Sequence, residues 1–217
     1  MTMKLLVIAL LAGGCAADPG TAANPVENGG FEKWTPASKQ VQGTNWCPRL
    51  PDGLPDGWPI PNVIGRSDQS AAIGLDAKVH HGGDRSLRME NGNPFSTVEL
   101  TQSVSVEPNT RYQIRMWVKG EAVSRSGGAV VHIVGSSDNS KTNRNLWGGS
   151  ITGMDWYKSP SPNNGTFDWA EHVFTLDALP TTRAFKISLE LRNASGTLWY
   201  DDVQVIRIEK IVPVESY

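Results

Sequence analysis

The sequence has few cysteines, few charges and no long apolar run. Only two of its 217 residues are cysteines, Cys15 and Cys47, which is too few for a disulfide framework. The apolar run over residues 5–11 is too short to cross a bilayer as a helix, which takes about 20 residues. Charged residues make up 19% of the chain and the net charge is −2. This balance argues against a nucleic-acid-binding protein, which normally has a basic stripe.

The N-terminus has the form of a secretory signal over residues 1–14. Lys4 gives the positive start, residues 5–11 the apolar run, and residues 12–14 a small-residue processing site. Cys15 follows directly, which resembles the bacterial lipobox, although that motif more often has leucine at the position of Ala12. The resemblance implies an exported protein with a lipid on Cys15, anchored to the outer membrane or cell surface by that lipid alone. An ordinary signal peptide with a chance cysteine is the alternative.

Residues 15–27 are predicted to be a tether, because small residues and prolines dominate them. The following segments show no convincing amphipathic helix and no internal repeat. Two of them, residues 110–119 and 184–192, alternate strictly between apolar and polar side chains, as half-buried strands do. Glycine and proline, at 22 and 14 residues, separate these short segments. The pattern predicts an all-β chain of about eight to ten antiparallel strands in two sheets, a β-sandwich or jelly roll.

The stretch Gly196–Ile208 raises a question about Asp201. With a period of two, Asp201 shares one face with Trp199, Val203 and Val205. A carboxylate turned toward a core is costly unless a partner compensates it, and a bound cation is one remedy. The alternative is that Asp201 ends the preceding turn and lies in water.

Six segments together resemble the carbohydrate-binding modules of families 4, 9 and 22, which are jelly-roll modules. They are NGGFEKW at 28–34, PDGW at 55–58, HGGDRSLRM at 81–89, TQSVSVEPNTRYQIRMWVKG at 101–120, FDWAEHVFTL at 167–176 and LWYDDVQV at 198–205. The resemblance covers nearly all of residues 28–208 and leaves 209–217 as a short tail.

The resemblance implies a structural calcium ion. Glu32 and Asp201 would supply side-chain oxygens, and Gly83 with Asp84 a carbonyl or carboxylate. Calcium takes six to eight oxygen ligands and tolerates irregular geometry, so these residue types suit it. The alternative is that Glu32 and Asp201 are turn and strand-end residues without a metal.

The resemblance also implies non-catalytic binding of a polysaccharide, either xylan-like or β-glucan-like. Outward positions of two strands carry the polar and aromatic mixture that sugars require: Gln113, Arg115 and Trp117 on one, Ser188, Glu190 and Arg192 on the other. Trp117 and Glu190 resemble the aromatic and carboxylate pair of the binding cleft. The alternative for them is an edge tryptophan and a surface ion-pair network. Nothing in the sequence decides the oligomeric state.

The segment 136–164 is a loop of almost thirty residues with three large aromatic side chains, Trp147, Trp156 and Tyr157. A loop of this length in a compact domain is usually functional or partly disordered. Its aromatic content argues against simple disorder, so these three residues are further candidates for sugar contact.

Two other functions remain open, an enzyme and a cell-surface adhesion protein. A glycosidase needs two carboxylates across a cleft, and Glu99 or Glu171 can join Glu190 in that role. A lyase would use a base beside an arginine, as His132 near Arg115 would provide. An adhesion protein would use the same sandwich to contact another protein or a matrix polymer. No Ser/His/Asp arrangement, phosphate loop or dinucleotide fingerprint is present.

Overall fold

A computed structural model describes residues 24–36, 47–65, 70–136 and 163–211. These ranges contain strands and turns and no helix. The strands are β1 (Trp34–Thr35), β2 (Leu54–Pro55), β3 (Ile60–Ile64), β4 (Ala72–Asp76), β5 (Ser86–Asn91), β6 (Thr97–Ser105), β7 (Thr110–Val123), β8 (Gly128–Ser136), β9 (Gly165–Ala178), β10 (Ala184–Arg192) and β11 (Gly196–Lys210). Within the same ranges, no helix has the length and apolarity needed to cross a membrane.

The strands form two main antiparallel sheets. One has four strands in the order β3-β6-β10-β8, and the other has five in the order β4-β5-β11-β7-β9. β1 and β2 make a separate two-stranded pair. From β6 to β11 each strand lies in the opposite sheet from the one before it, which is the alternation of a jelly roll. The predicted fold class is confirmed.

The core lies between the two sheets and is built from the predicted alternating side chains. The inward residues of β7 and β10 are all buried: Tyr112, Ile114, Met116, Val118, Phe185, Ile187, Leu189 and Leu191. Phe31 and Trp58, from the segments before β1 and after β2, are also fully buried, with ring centroids 5.4 Å apart. Burial of apolar surface on this scale stabilises the sandwich without a disulfide, and Cys47 is a free thiol.

The predicted tether over residues 15–27 is wrong at its C-terminal end, because residues 24–27 pack against the domain. Val26 is buried, and Asn24 lies against β11, where its side-chain amide donates to the Val203 carbonyl at 3.2 Å and its side-chain oxygen accepts from the Val205 N–H at 2.9 Å. β11 itself continues to Lys210, two residues beyond the predicted end of the domain.

A β-bulge in β11 corrects the predicted face of Asp201. Asp202 has a positive φ of 50°, and the pairing register shifts between Asp201 and Gln204. The extra residue moves the alternation by one position. Tyr200 therefore points into the core, Asp201 lies on the outer face opposite Trp117, and Val203 returns to the core. Asp201 is nevertheless fully buried, because the turn around residues 80–84 covers it.

Candidate functional site

The outer face of the four-stranded sheet carries a row of polar side chains that are closely connected. They come from β6, β8 and β10, and we call them the polar face: Glu99, Thr101, His132, Ser188, Glu190 and Arg192. The pairing register places Glu190 directly opposite Glu99, and Ser188 between Thr101 and His132. Directly opposed residues lie on the same side of an antiparallel sheet, so the six side chains share one face.

Glu99 is the centre of one half of the polar face. Its Oε1 accepts hydrogen bonds from the Thr101 hydroxyl at 2.9 Å and from the Ser188 hydroxyl at 2.7 Å. The three residues are buried, although they point away from the core. A buried carboxylate without donors is expensive, so the two hydroxyls are required to hold Glu99 in place.

Glu190 is the centre of the other half. It is buried, and its two oxygens accept from the Arg192 guanidinium at 2.5 and 2.8 Å. His132 Nδ1 lies 3.8 Å from Oε1 of the same carboxylate. Burial raises the pKa of Glu190 and the neighbouring charge of Glu99 adds to this, whereas the bonds to Arg192 lower it. The result is a fixed carboxylate–guanidinium pair with Arg192 and His132 partly exposed beside it.

One edge of the polar face is apolar and exposed. Ile60 and Ile64 of the edge strand β3 are about half exposed, at 47% and 52%, and Phe95 is 80% exposed. Phe95 belongs to the turn before β6, two residues from Thr97, which pairs with Ile64. A Cβ added at Gly65 would lie 2.9 Å from the Phe95 carbonyl oxygen, so this turn packs directly against the end of β3.

The turn that carries Phe95 is held by a buried asparagine. The side-chain nitrogen of Asn91 lies 2.8 to 3.1 Å from the carbonyl oxygens of Asn93, Ser96 and Ala194, which share its two hydrogens. The Phe95 N–H in turn donates to the Asn93 side chain at 2.9 Å. An exposed phenyl ring on a braced turn is a preformed apolar contact surface. Sequence reasoning missed it, and the only available signal was an aromatic residue after proline in a polar turn.

The expected pair of Trp117 and Glu190 is not formed. Trp117 lies on β7 in the five-stranded sheet, and Glu190 lies on β10 in the four-stranded sheet, so the two side chains are on opposite outer faces of the sandwich. Gln113 and Arg115 are on the Trp117 side for the same reason. Alternation along a strand predicts which side chains point outward, but the sheet to which each strand belongs depends on long-range pairing.

Trp117 is part of a separate cluster on the outer face of the five-stranded sheet. The His81 ring stacks on the indole with centroids 3.9 Å apart, and the Trp169 ring lies edge-on to His81 at 5.8 Å. Arg115 forms an ion pair with Glu171 next to them. Because His81 covers one face of the indole, Trp117 is a packed surface residue in this structure.

The arrangement for a lyase is not formed either. His132 lies on β8 in the four-stranded sheet and Arg115 on β7 in the other, so His132 has Glu190 and Arg192 as its neighbours. Of the two further carboxylates considered, Glu99 is on the polar face and Glu171 is on the opposite one.

The residues expected to bind calcium do come together. Asp201 is fully buried and accepts three backbone hydrogen bonds, from His81 at 2.8 Å, Gly82 at 3.0 Å and Asp202 at 2.8 Å. Glu32 Oε1 accepts from the Asp84 N–H at 2.9 Å, beside Gly83, which has a positive φ of 57°.

Burial raises the pKa of Asp201 to about 6, and the charge of Asp202 adds to this, against the three backbone donors, which lower it. A Cβ added at Gly30 would lie within 4.0 Å of a carboxylate oxygen of Asp201, a carboxylate oxygen of Asp202 and the Glu32 side chain. Three acidic side chains thus converge on one glycine. Over the described ranges, however, no three His, Cys, Asp or Glu side chains are arranged to hold a metal by themselves.

Several predicted residues lie outside the described residues: Cys15, Trp147, Trp156 and Tyr157. Their predicted roles stay predictions.

No protein-family model and no curated protein matches the chain. Similar solved structures include a CBM4 carbohydrate-binding module, with 18% identity and a TM-score of 0.47. The match covers 84% of this chain and 99% of that one. The CBM22-1 xylan-binding domain of Paenibacillus barcinonensis Xyn10C has 12% identity and a TM-score of 0.41. That match covers 68% of this chain and 86% of that one. The enzymatically active domain of tailspike protein 4 from bacteriophage CBA120 has 12% identity and a TM-score of 0.49. There the match covers 85% of this chain, which spans about a fifth (21%) of the tailspike chain.

Proposed function

We propose that the protein binds a polysaccharide without catalysis on the polar face and its apolar edge. Sugar rings present C–H surfaces that pack on aromatic rings and hydroxyls that exchange hydrogen bonds with polar side chains. The single observation that carries the proposal is the position of Phe95, an exposed ring on a braced turn at the edge of the polar face. Binding sites for small molecules combine apolar surface with a few fixed polar groups in the same way.

The roles follow from the contacts. The Phe95 ring would pack on the sugar, while Arg192 and His132, the partly exposed members of the polar face, would meet its hydroxyls. Glu190 holds Arg192 through two hydrogen bonds, which orients the guanidinium before a ligand arrives. Fixing the polar groups in advance reduces the entropy lost on binding.

Affinity electrophoresis in gels containing soluble xylan or mixed-linkage β-glucan tests the proposal. The protein is expected to be retarded by one of the two polymers. Glu190→Gln is expected to weaken binding by a factor of roughly 10 to 150, because hydrogen bonds to charged groups contribute about 1.5–3 kcal/mol. Glu171→Gln is the matched control, since it breaks a glutamate–arginine pair on the other sheet.

If retardation persists in Glu190→Gln and disappears in Trp117→Ala, the sugar binds on the five-stranded sheet and not on the polar face. The absence of retardation with both polymers and across a glycan array would contradict sugar binding altogether. Co-purification with a surface partner would then favour the adhesion protein.

A second candidate function, glycoside hydrolysis, is favoured by one observation. Glu99 and Glu190 are directly opposed on the polar face, and opposed side chains in a sheet have Cβ atoms about 5 Å apart. Retaining glycosidases hold their two carboxyl groups about 5–5.5 Å apart, and side chains that start from such Cβ positions can reach that separation. Both carboxylates are, however, already engaged by neighbouring side chains. Release of reducing ends from either polymer, abolished by Glu99→Gln, would favour the enzyme.

We further propose a structural calcium ion beside Asp201, held with Glu32 and with Gly83 or Asp84. The donors are all oxygens, which suits calcium. Among the described residues, no lysine or arginine forms an ion pair with Asp201, so its buried carboxylate has N–H donors but no cation. Added calcium is expected to raise the thermal midpoint of chelator-treated protein by several degrees. An unchanged midpoint and no calcium by elemental analysis would contradict the site.

Export and lipid anchoring through Cys15 complete the proposed function. The support is the order of features in residues 1–15: a positive start, an apolar run, small residues and then cysteine. The lipid would hold the binding domain at the membrane surface, and the small-residue segment after Cys15 would act as the tether.

A further inference from the structure

One side chain connects the two sheets at the polar face. Tyr200 extends from β11 in the five-stranded sheet into the core and is completely buried. Its hydroxyl donates to the Glu190 carbonyl oxygen of β10, in the facing sheet, at 2.6 Å. The Val130 carbonyl of β8 lies farther from the same hydroxyl, at 3.4 Å. The hydroxyl has one hydrogen, so the Glu190 carbonyl is its partner.

The geometry explains why a tyrosine is needed for this contact. Facing sheets pack about 10 Å apart, and only a long side chain with a polar end can reach a backbone carbonyl across that distance. β10 is an inner strand, so its carbonyl uses one lone pair within the sheet and has a second for the hydroxyl. Burial raises the pKa of Tyr200 above its ordinary value, which keeps the hydroxyl protonated and able to donate.

The contact is made at the residue that organises half of the polar face. The Glu190 carboxylate is on the outer side of β10 and binds Arg192, while the carbonyl of the same residue is held from the inner side. We propose that Tyr200 is a positioning residue for Glu190: by fixing the backbone of β10 from the core, it sets where the carboxylate and Arg192 stand on the polar face. As a determinant of ligand affinity, this role rests on the proposed sugar binding.

Tyr200→Phe removes the hydroxyl and little else, and Tyr112→Phe is the matched control. Tyr112 is also a buried core tyrosine, and its hydroxyl accepts one backbone hydrogen bond, from the Glu107 N–H at 2.8 Å. Both variants lose one hydroxyl–backbone bond, and comparable losses of stability are expected. Only Tyr200→Phe removes a bond to Glu190.

Two measurements separate positioning from stability. In protein with ¹³C-labelled glutamate, the Glu190 carboxyl signal, assigned with Glu190→Gln, is expected to move in Tyr200→Phe and to stay in place in Tyr112→Phe. Affinity for soluble xylan or mixed-linkage β-glucan is expected to fall about fivefold in Tyr200→Phe only, the factor that corresponds to one ordinary hydrogen bond.

The two measurements fail independently. Equal Glu190 signals in the two variants would overturn the positioning role, whatever the affinities are. If the wild-type protein binds neither polymer, the proposed function fails and the NMR comparison still decides the role of Tyr200. If Tyr200→Phe does not fold, incorporation of 3-fluorotyrosine, a stronger donor, must shift the carbonyl signal of Glu190. An unchanged carbonyl signal would overturn the proposal in that case.

Discussion

Replacement of Phe95 by alanine should weaken sugar binding strongly while leaving the fold intact. An aromatic side chain has about 200 Å² of surface, and Phe95 is 80% exposed, so about 160 Å² is open to a ligand. Packing one ring face, about half of that area, contributes about 2 kcal/mol at 25 cal/mol per Å². This corresponds to a roughly 30-fold increase in Kd.

The same calculation gives the expected cost to stability. The remaining fifth of the side chain, about 40 Å², is buried in the free protein and contributes about 1 kcal/mol. That predicts a fall in Tm of about 2–4 °C for a domain of this size. Affinity electrophoresis or calorimetry gives Kd for the polymer that retards the wild type, and thermal unfolding gives Tm.

Ile208→Ala is the control for Phe95→Ala. Ile208 is 48% exposed near the end of β11, in the other sheet, and its truncation should leave Kd unchanged. Wild-type affinity in Phe95→Ala would refute sugar binding at Phe95, because the ring would then make no contact with the sugar. A loss of affinity that appears equally in Ile208→Ala would also refute it.

The remaining predictions concern the polar face, the buried Asp201 and the N-terminus. Ser188→Ala should destabilise the fold by about 1–3 kcal/mol in urea, since it removes a donor from buried Glu99, whereas exposed Ser103→Ala should change little. In the presence of a chelator, the free energy of unfolding should increase as the pH falls from 7 toward 4. Folding raises the pKa of Asp201 to about 6, so the folded state takes up a proton at a higher pH than the unfolded state. A free energy of unfolding that does not change over this pH range would contradict this. Cys15→Ala should release the protein from membrane fractions, and retention there would contradict lipid anchoring.

The fold was predictable from the sequence because alternation is a local signal. Residues 110–119 and 184–192 showed which side chains would be inward, and the structure buries those apolar residues. The sheet partners of β7 and β10 depend on contacts between distant parts of the chain, and no local pattern contains them. Trp117 and Glu190 were therefore expected together and lie on opposite faces.

Two other features of the site were not readable from spacing. The bulge at Asp202 reversed the faces of Tyr200 and Asp201, and a single residue with positive φ has no strong signature when it is an aspartate. The exposure of Phe95 depends on the packing of its turn against Gly65, after β3, and on the Asn91 side chain, which also bonds to Ala194 near the end of β10. These contacts join distant parts of the chain, so no local pattern predicts them. The grouping of Glu32 with Gly83 and Asp84, by contrast, agrees with the resemblance.

Sugar binding on the polar face is tested most directly by an NMR titration of the labelled domain with xylohexaose and cellohexaose. One of these sugars is expected to shift the NMR signals of Phe95, Arg192 and His132 at the four-stranded sheet and to leave those of Trp117 and Arg115 unchanged. Shifts confined to Trp117 and Arg115 would contradict sugar binding on the polar face.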